Sequence, residues 1–197
     1  MDEYWNHNTA YHRWLLDIAA RQRGDVLDVG CGEGLLLQRL AAVSRRVVGI
    51  DPDAASVQQT RRRLHTIANA SVELTDFHDL TAPDQSFDVI TFVASLHHQP
   101  LREALGKARE LLRPGGELAV IGLAADKTLG DYAWSLLCMP VALVGSRLHR
   151  ETSAIGVPIT EPRESLAQIR RVADDVVPKA VIRRALYYRY LLHWRND

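Results

Sequence analysis

The sequence predicts an α/β domain built on a parallel sheet with helices on both faces. Three observations carry that expectation. From residue 25 onward, short apolar runs alternate with longer stretches of helical periodicity. The first of those runs passes into a glycine-rich turn, Gly30-Cys31-Gly32-Glu33-Gly34, and then into a helical stretch. Three successive runs also close on an aspartate: Asp28, Asp51 and Asp76.

Each element follows in order. Tyr11, Trp14, Leu15 and Ile18 recur at helical spacing, so the opening segment, residues 1–22, reads as an amphipathic helix. Asp25 to Val29 is a short apolar run bounded by glycines, a buried strand, and Leu35 to Ala42 a helix. Val47 to Asp51 is the second strand and Ala54 to Ile67 the second helix of the alternation. Strands are expected at Ser71 to Leu74, Phe87 to Val93 and Glu117 to Ile121, with helices at Leu101 to Leu112 and Glu164 to Val172. Val181 to Trp194 breaks the rhythm, being β-branched, aromatic and basic. It reads as one or two late strands, an antiparallel hairpin without a recognisable turn residue. Residues 124–162 form an insertion that carries Trp134, Leu136, Leu137, Met139, Val141 and Leu143, more apolar than a solvated loop. It reads as a substrate lid, an edge-sealing helix or a membrane-surface helix.

Composition narrows the partners. The 197 residues fit one domain spanning the whole chain. Lys plus Arg and Asp plus Glu each total 24, so the net charge is zero, which argues against a dedicated nucleic-acid binder. Two cysteines, Cys31 and Cys138, give neither a disulfide framework nor a metal-ligand spacing. With no basic, apolar leader at the start and no apolar stretch of about 20 residues, a soluble cytoplasmic protein with no metal is expected.

The glycine turn holds most of the functional information. Glycine lets bare backbone approach a ligand, and a strand–turn–helix unit is a common nucleotide cradle. The spacing here is Gly-x-Gly-x-Gly, with Leu35 where a dinucleotide fingerprint needs its third glycine. Asp28, two residues before Gly30, would repel a pyrophosphate but could hold a cationic amino group. Asp51 ends the second strand, where an acid accepts from ribose hydroxyls. Asp76, followed by Phe77, could accept from the exocyclic amine of adenine, with the aromatic ring beside the base. Together they form an acidic row along the carboxyl rim of the sheet, where ligands of open α/β sheets bind.

Val26 to Gly34, Val47 to Asp53, Thr75-Asp76-Phe77, Phe87-Asp88-Val89-Ile90 and Leu111 to Leu118 resemble, in order and spacing, the motifs of class I S-adenosylmethionine-dependent methyltransferases. The similarity runs over residues 25–123. It implies a Rossmann-like, doubly wound, seven-stranded, mostly parallel sheet with an antiparallel last strand. It implies that S-adenosylmethionine is the cofactor, with Asp28 by its methionine amino group and Gly30 and Gly32 lining it. Asp51 and Pro52 would lie at the ribose, and Asp76 with the Phe77 backbone at the adenine. The loop from Ala94 to His98 would pass near the transferable methyl. An N-terminal helix often folds over the cofactor in such enzymes, which puts Tyr11, with His7, over the methionine end. Arg189 to Trp194 resembles the closing strand of a bacterial subgroup with diverse or unassigned substrates.

The implied reaction is transfer of a methyl group to an O, N or C nucleophile of a small molecule. Its product is S-adenosylhomocysteine. His97 and His98 follow the fourth strand and are candidates for a general base or for a purely positional role. Amino-methylating DNA enzymes carry Asn/Asp-Pro-Pro-aromatic after that strand, whereas this chain reads Ala94-Ser95-Leu96-His97-His98. The nucleophilic cysteine of RNA cytosine methylation is missing there too. A non-catalytic S-adenosylmethionine binder and an NAD-type oxidoreductase are the competing readings.

Overall fold

The computed structural model describes residues 5–127, 134, 138–139 and 162–197. The elements are α1 (His12–Gln22), β1 (Asp25–Val29), α2 (Leu35–Ala41), β2 (Arg46–Asp51), α3 (Ala54–Arg63), β3 (Ala70–Leu74), β4 (Phe87–Val93), α4 (Leu101–Leu111), β5 (Leu112–Gly122), α5 (Leu166–Val176), β6 (Val181–Ala185) and β7 (Arg189–Arg195). One seven-stranded sheet has the order β3-β2-β1-β4-β5-β7-β6. β7 alone runs against its neighbours, antiparallel to both β5 and β6. This is the expected mostly parallel, doubly wound sheet with a reversed last strand.

The apolar residues of the central strands alternate between two cores. Val26, Val47, Val89, Ala119 and Ile121 pack with α1, α2 and α3 on one face. Leu27, Val48, Ile90, Leu118 and Val120 pack with α4 and α5 on the other. With both faces covered, the carboxyl rim is left for ligands.

Most boundaries match the sequence pattern, and the departures have local causes. Asn6 Oδ1 accepts from the backbone N–H of Asn8 and Thr9 at 3.0 and 2.9 Å, folding this stretch into a turn. The opening helix therefore starts at His12, after a single 3-10 turn at Thr9–Tyr11. α3 stops at Arg63, short of Ile67, after three arginines at the end of the helix that favours positive charge. β5 begins at Leu112 rather than Glu117: Leu112 pairs with Phe87, and a register shift between Phe87 and Val89 absorbs Pro114-Gly115-Gly116. α5 is set by a capping box, Ser165 and Gln168 satisfying each other's backbone N–H. The β6–β7 turn places Tyr187 and Tyr188 at φ 58° and 59°, left-handed values that normally call for glycine or asparagine. The hairpin is real, and its turn residues are ones no pattern would select. The insertion at 124–162 lies outside the described residues apart from 124–127, 134, 138–139 and 162. Among the described residues no helix is long and apolar enough to cross a membrane.

Candidate functional site

β1 enters the rim between β2 and β4, and its register with β4 sets Asp28 beside Thr91. The Thr91 hydroxyl donates to Asp28 Oδ1 at 2.7 Å. Asp28 is 2% exposed, and among the described residues no cation is paired with it. Burial, and after it the nearby Asp51, push its carboxyl up to about 7, against the Thr91 hydrogen bond that lowers it. A carboxylate kept dry beside another carboxylate is costly unless a positive ligand arrives.

The chain then turns sharply. Gly30 lies at φ 72°, and a Cβ there would stand 2.5 Å from Ser95 Cβ. Only glycine lets the β4–α4 loop settle on the turn, where Ser95 Oγ donates to the Val29 carbonyl at 2.5 Å. Asp51, at the end of β2, accepts from Gly32 N through Oδ2 and from Asp53 N through Oδ1, both at 2.9 Å. A carboxylate offers about four lone-pair directions, so capacity remains for further donors. Pro52, next to it, is exposed.

Asp76 lies two residues beyond β3. It accepts from His78 N at 2.8 Å and from the Gln99 side-chain amide at 3.1 Å. Gln99 belongs to the segment that follows β4, so this bond ties the third strand's end to the loop carrying His97 and His98. Phe77 corrects one expectation. Its ring is 2% exposed, set edge-on against Phe92 at 5.3 Å, with Lys107 Nζ 5.4 Å from its centroid. The ring belongs to the core rather than lying beside a base.

Ala94 follows β4 at φ 52°, a strained value for a residue with a Cβ, and its N–H donates to the Ile121 carbonyl at 2.8 Å. This bend leads into the turn Leu96–His98. His97 is half-buried and His98 exposed, their rings 4.2 Å apart. Tyr11 and His7 turn toward the β6–β7 hairpin. Tyr11 Oη donates to the Leu186 carbonyl at 2.8 Å, and His7 stacks on Tyr187 at 4.7 Å. Burial pushes the Tyr11 hydroxyl up to about 12. His12, in the same segment, is buried, receives Arg39 Nη1 at 3.0 Å and has its pKa pushed down to about 3 by burial. It stays neutral and structural.

Two buried side chains on α3 escaped sequence reasoning. Thr60 and Arg63 hold the glycine turn from behind, and nothing local in the sequence marks them. Cys31, by contrast, is a packing residue: its side chain faces Gly49 of β2, and burial raises its thiol pKa. A cleft of about 400 Å³ lined by Asp84, Arg109, Glu110 and Asn196 lies at the opposite, amino end of the sheet, away from this constellation.

The rim is thus an acceptor-rich set: three carboxylates held by neutral donors around a glycine turn. That acceptor chemistry suits a ligand bearing an ammonium group, vicinal hydroxyls and an amine. Comparison with known proteins agrees. Residues 26–116 match the family model described as a methyltransferase domain. The chain is 33% identical over 198 residues to an uncharacterized methyltransferase of Mycobacterium tuberculosis, covering 99% of this chain and 98% of that protein. It is 33% identical over 138 residues to a tRNA U34 carboxymethyltransferase of Saccharophagus degradans, covering 66% of this chain and 42% of that one. Its fold is similar to that of a SAM-dependent methyltransferase from Aquifex aeolicus, with a TM-score of 0.65 and 16% identity over 94% of this chain and 88% of the other.

Proposed function

The chain belongs to the S-adenosylmethionine-dependent methyltransferases, and from that premise we propose that this enzyme methylates an O, N or C nucleophile of a small molecule by in-line displacement. The observation that carries the reading is Asp28, a dry carboxylate with a hydroxyl for a partner and, among the described residues, no cation. In this reading Asp28 faces the ammonium of the cofactor. Gly30 and Gly32 line it, Asp51 and Pro52 take the ribose, and Asp76 with the Phe77 backbone takes the adenine. Ala94 lies beside the methyl. S-adenosylmethionine supplies a methyl group on a sulfonium, a good leaving group. The chain's own contribution is alignment and exclusion of water, and alignment of this kind is worth ~7–11 kcal/mol. Tyr11, held on the hairpin, closes the methionine end. His97 and His98 orient the acceptor, and remove a proton where the acceptor arrives as a phenol or alcohol.

A small acceptor, apolar or aromatic, is supported by the zero net charge and by the apolar composition of the insertion. The tRNA-modifying relative favours an RNA acceptor instead, but it matches only 66% of this chain, and no basic surplus accompanies that match. Release of S-adenosylhomocysteine across a panel of phenols, amines, acids and quinone-like lipids, with tRNA as a further arm, tests the proposal. Turnover with a member of the small-molecule panel is expected. Turnover with tRNA alone would overturn it.

A further inference from the structure

The glycine turn is gripped from behind by one face of α3. Thr60, fully buried, donates its hydroxyl to the Gly32 carbonyl at 2.7 Å. Three residues on, and hence on the same helix face, Arg63 is 8% exposed. Its Nε donates to the Glu33 carbonyl at 3.1 Å and its Nη1 to Gln38 Oε1 at 3.1 Å, while Nη2 pairs with the Glu33 carboxylate. Two consecutive carbonyls of the turn are therefore drawn toward α3. Gly34 fits the same helix: it lies at φ 83°, and a Cβ there would stand 2.7 Å from Thr60 Cγ2. The other end of α3 begins at Asp53, which caps it by accepting from Ser56 N at 2.8 Å. Asp53 in turn donates to Asp51, the carboxylate that also receives Gly32 N. Turn, β2 end and α3 thus close a ring of hydrogen bonds.

The geometry has a consequence for the ligand face. Across a trans peptide the carbonyl and the following N–H point in opposite directions. Fixing the Gly32 carbonyl on Thr60 turns the Glu33 N–H away from α3. Left alone, peptide units between glycines would sample other orientations, and a ligand would have to order them on binding. A buried ion pair is weak support for stability, because desolvation offsets the attraction. The placement of Arg63 therefore points to orientation.

We propose that Thr60 and Arg63 are positioning residues for the cofactor, acting through the Gly32 and Glu33 peptide units without touching the ligand, and setting its affinity by pre-ordering the turn. The proposal rests on the reading of this turn as the cofactor cradle. Calorimetric titration of the full chain with S-adenosylhomocysteine, well below the unfolding temperature, tests it. Thr60→Val removes the hydroxyl at nearly constant volume and should raise Kd about tenfold. Thr60→Ser keeps the donor and should stay within about twofold, while Arg63→Lys, which loses the planar fork, should raise Kd several-fold. Ile169→Ala, buried on α5 across the sheet, should lower Tm yet leave Kd within about twofold. A Thr60→Val Kd unchanged while Asp51→Ala binds weakly would overturn the clamp and leave the cradle standing. Loss of affinity in Ile169→Ala equal to that in Thr60→Val would reduce the effect to general destabilisation and also overturn it. Undiminished binding in Asp51→Ala would instead refute the cradle itself.

Discussion

The two ends of the sheet hold similar carboxylates in opposite ways. At the amino end each is matched by a protein cation. Asp25 receives Arg45 at 2.7 and 2.9 Å and Arg113 at 3.0 Å. Asp88 receives Arg113 at 2.6 Å, and Glu117 takes Gln22 at 2.8 Å, His193 at 2.5 Å and Arg21 at 3.3 Å. At the carboxyl end, Asp28, Asp51 and Asp76 are held by a hydroxyl, backbone N–H groups and a side-chain amide, all neutral. The acidities diverge accordingly. The Arg45 hydrogen bonds, with Arg113 behind them, hold Asp25 below the usual carboxylate range. Burial raises Glu117, but Gln22 and His193 outweigh it, and the net shift is downward. Asp28, with no cation beside it among the described residues, moves the other way. One end is electrostatically finished and holds the fold. At the other, no cation among the described residues answers the carboxylates.

The largest effect expected from that contrast comes at Asp28. Asp28→Asn should weaken S-adenosylhomocysteine binding about 100-fold, the scale of a lost charged hydrogen bond in a dry site. It should also stabilise the free protein. The folded-state pKa of Asp28 lies near 7, above its ordinary value of 3.8. Its contribution to stability is therefore intact below about pH 4, is lost as pH rises to about 7, and stays low above that. The gain in Tm from asparagine should grow over the same window and then level off. Thermal melts of both proteins at pH 4, 6 and 8 check this, and a gain over wild type no larger at pH 8 than at pH 4 would contradict it.

The mirror-image substitution comes next. Asp88→Ala leaves Arg113 half-partnered and frees the N–H of Asp25, which donates to Asp88 at 2.6 Å. A loss of about 2 kcal/mol, roughly 6 °C in Tm, should follow. Cofactor affinity should stay within about twofold of wild type. Asp88 and Asp28 read alike in the sequence, each an aspartate in an apolar strand within a family motif. Their places in the strands tell them apart: Asp88 sits at the start of β4, and Asp28 near the end of β1, just before the glycine turn.

That pair shows how much of the molecule was legible. Strands were readable because a sheet covered on both faces demands continuous apolar runs, and the rim aspartates because each closes such a run. Three things were not. The Phe77 ring is claimed by the core, since burial of an aromatic competes with any role at the surface. Thr60 and Arg63 reach the turn from 28 and 30 residues away, a contact without a local signal. The β6–β7 turn uses two tyrosines in a conformation that sequence rules reserve for glycine, held in place by the stacking of His7 and the hydrogen bond from Tyr11.

Smaller effects sharpen the picture at the rim. His97→Gln and His98→Gln should each lower kcat/KM by less than about tenfold with the shape of the pH profile retained, as for orienting groups. A fall beyond about 100-fold with loss of one limb of the profile would make that residue a required base. Smallest of all, Tyr11→Phe removes the hydrogen bond to Leu186. It should cost about 1 kcal/mol of stability by denaturant melt, with S-adenosylhomocysteine affinity within about threefold. A tenfold loss of affinity would show that its hydroxyl reaches the ligand.

The pH dependence of cofactor binding tests the reserved charge at Asp28 most directly. Calorimetric titration of S-adenosylhomocysteine from pH 5.5 to 8 should show Kd tightening close to tenfold per unit up to about pH 7 and then levelling, with a proton released on binding at the acid end. Asp28→Asn should be weak and flat across the range. A wild-type Kd independent of pH, with no proton released, would mean that the carboxylate at the heart of the site meets no cation.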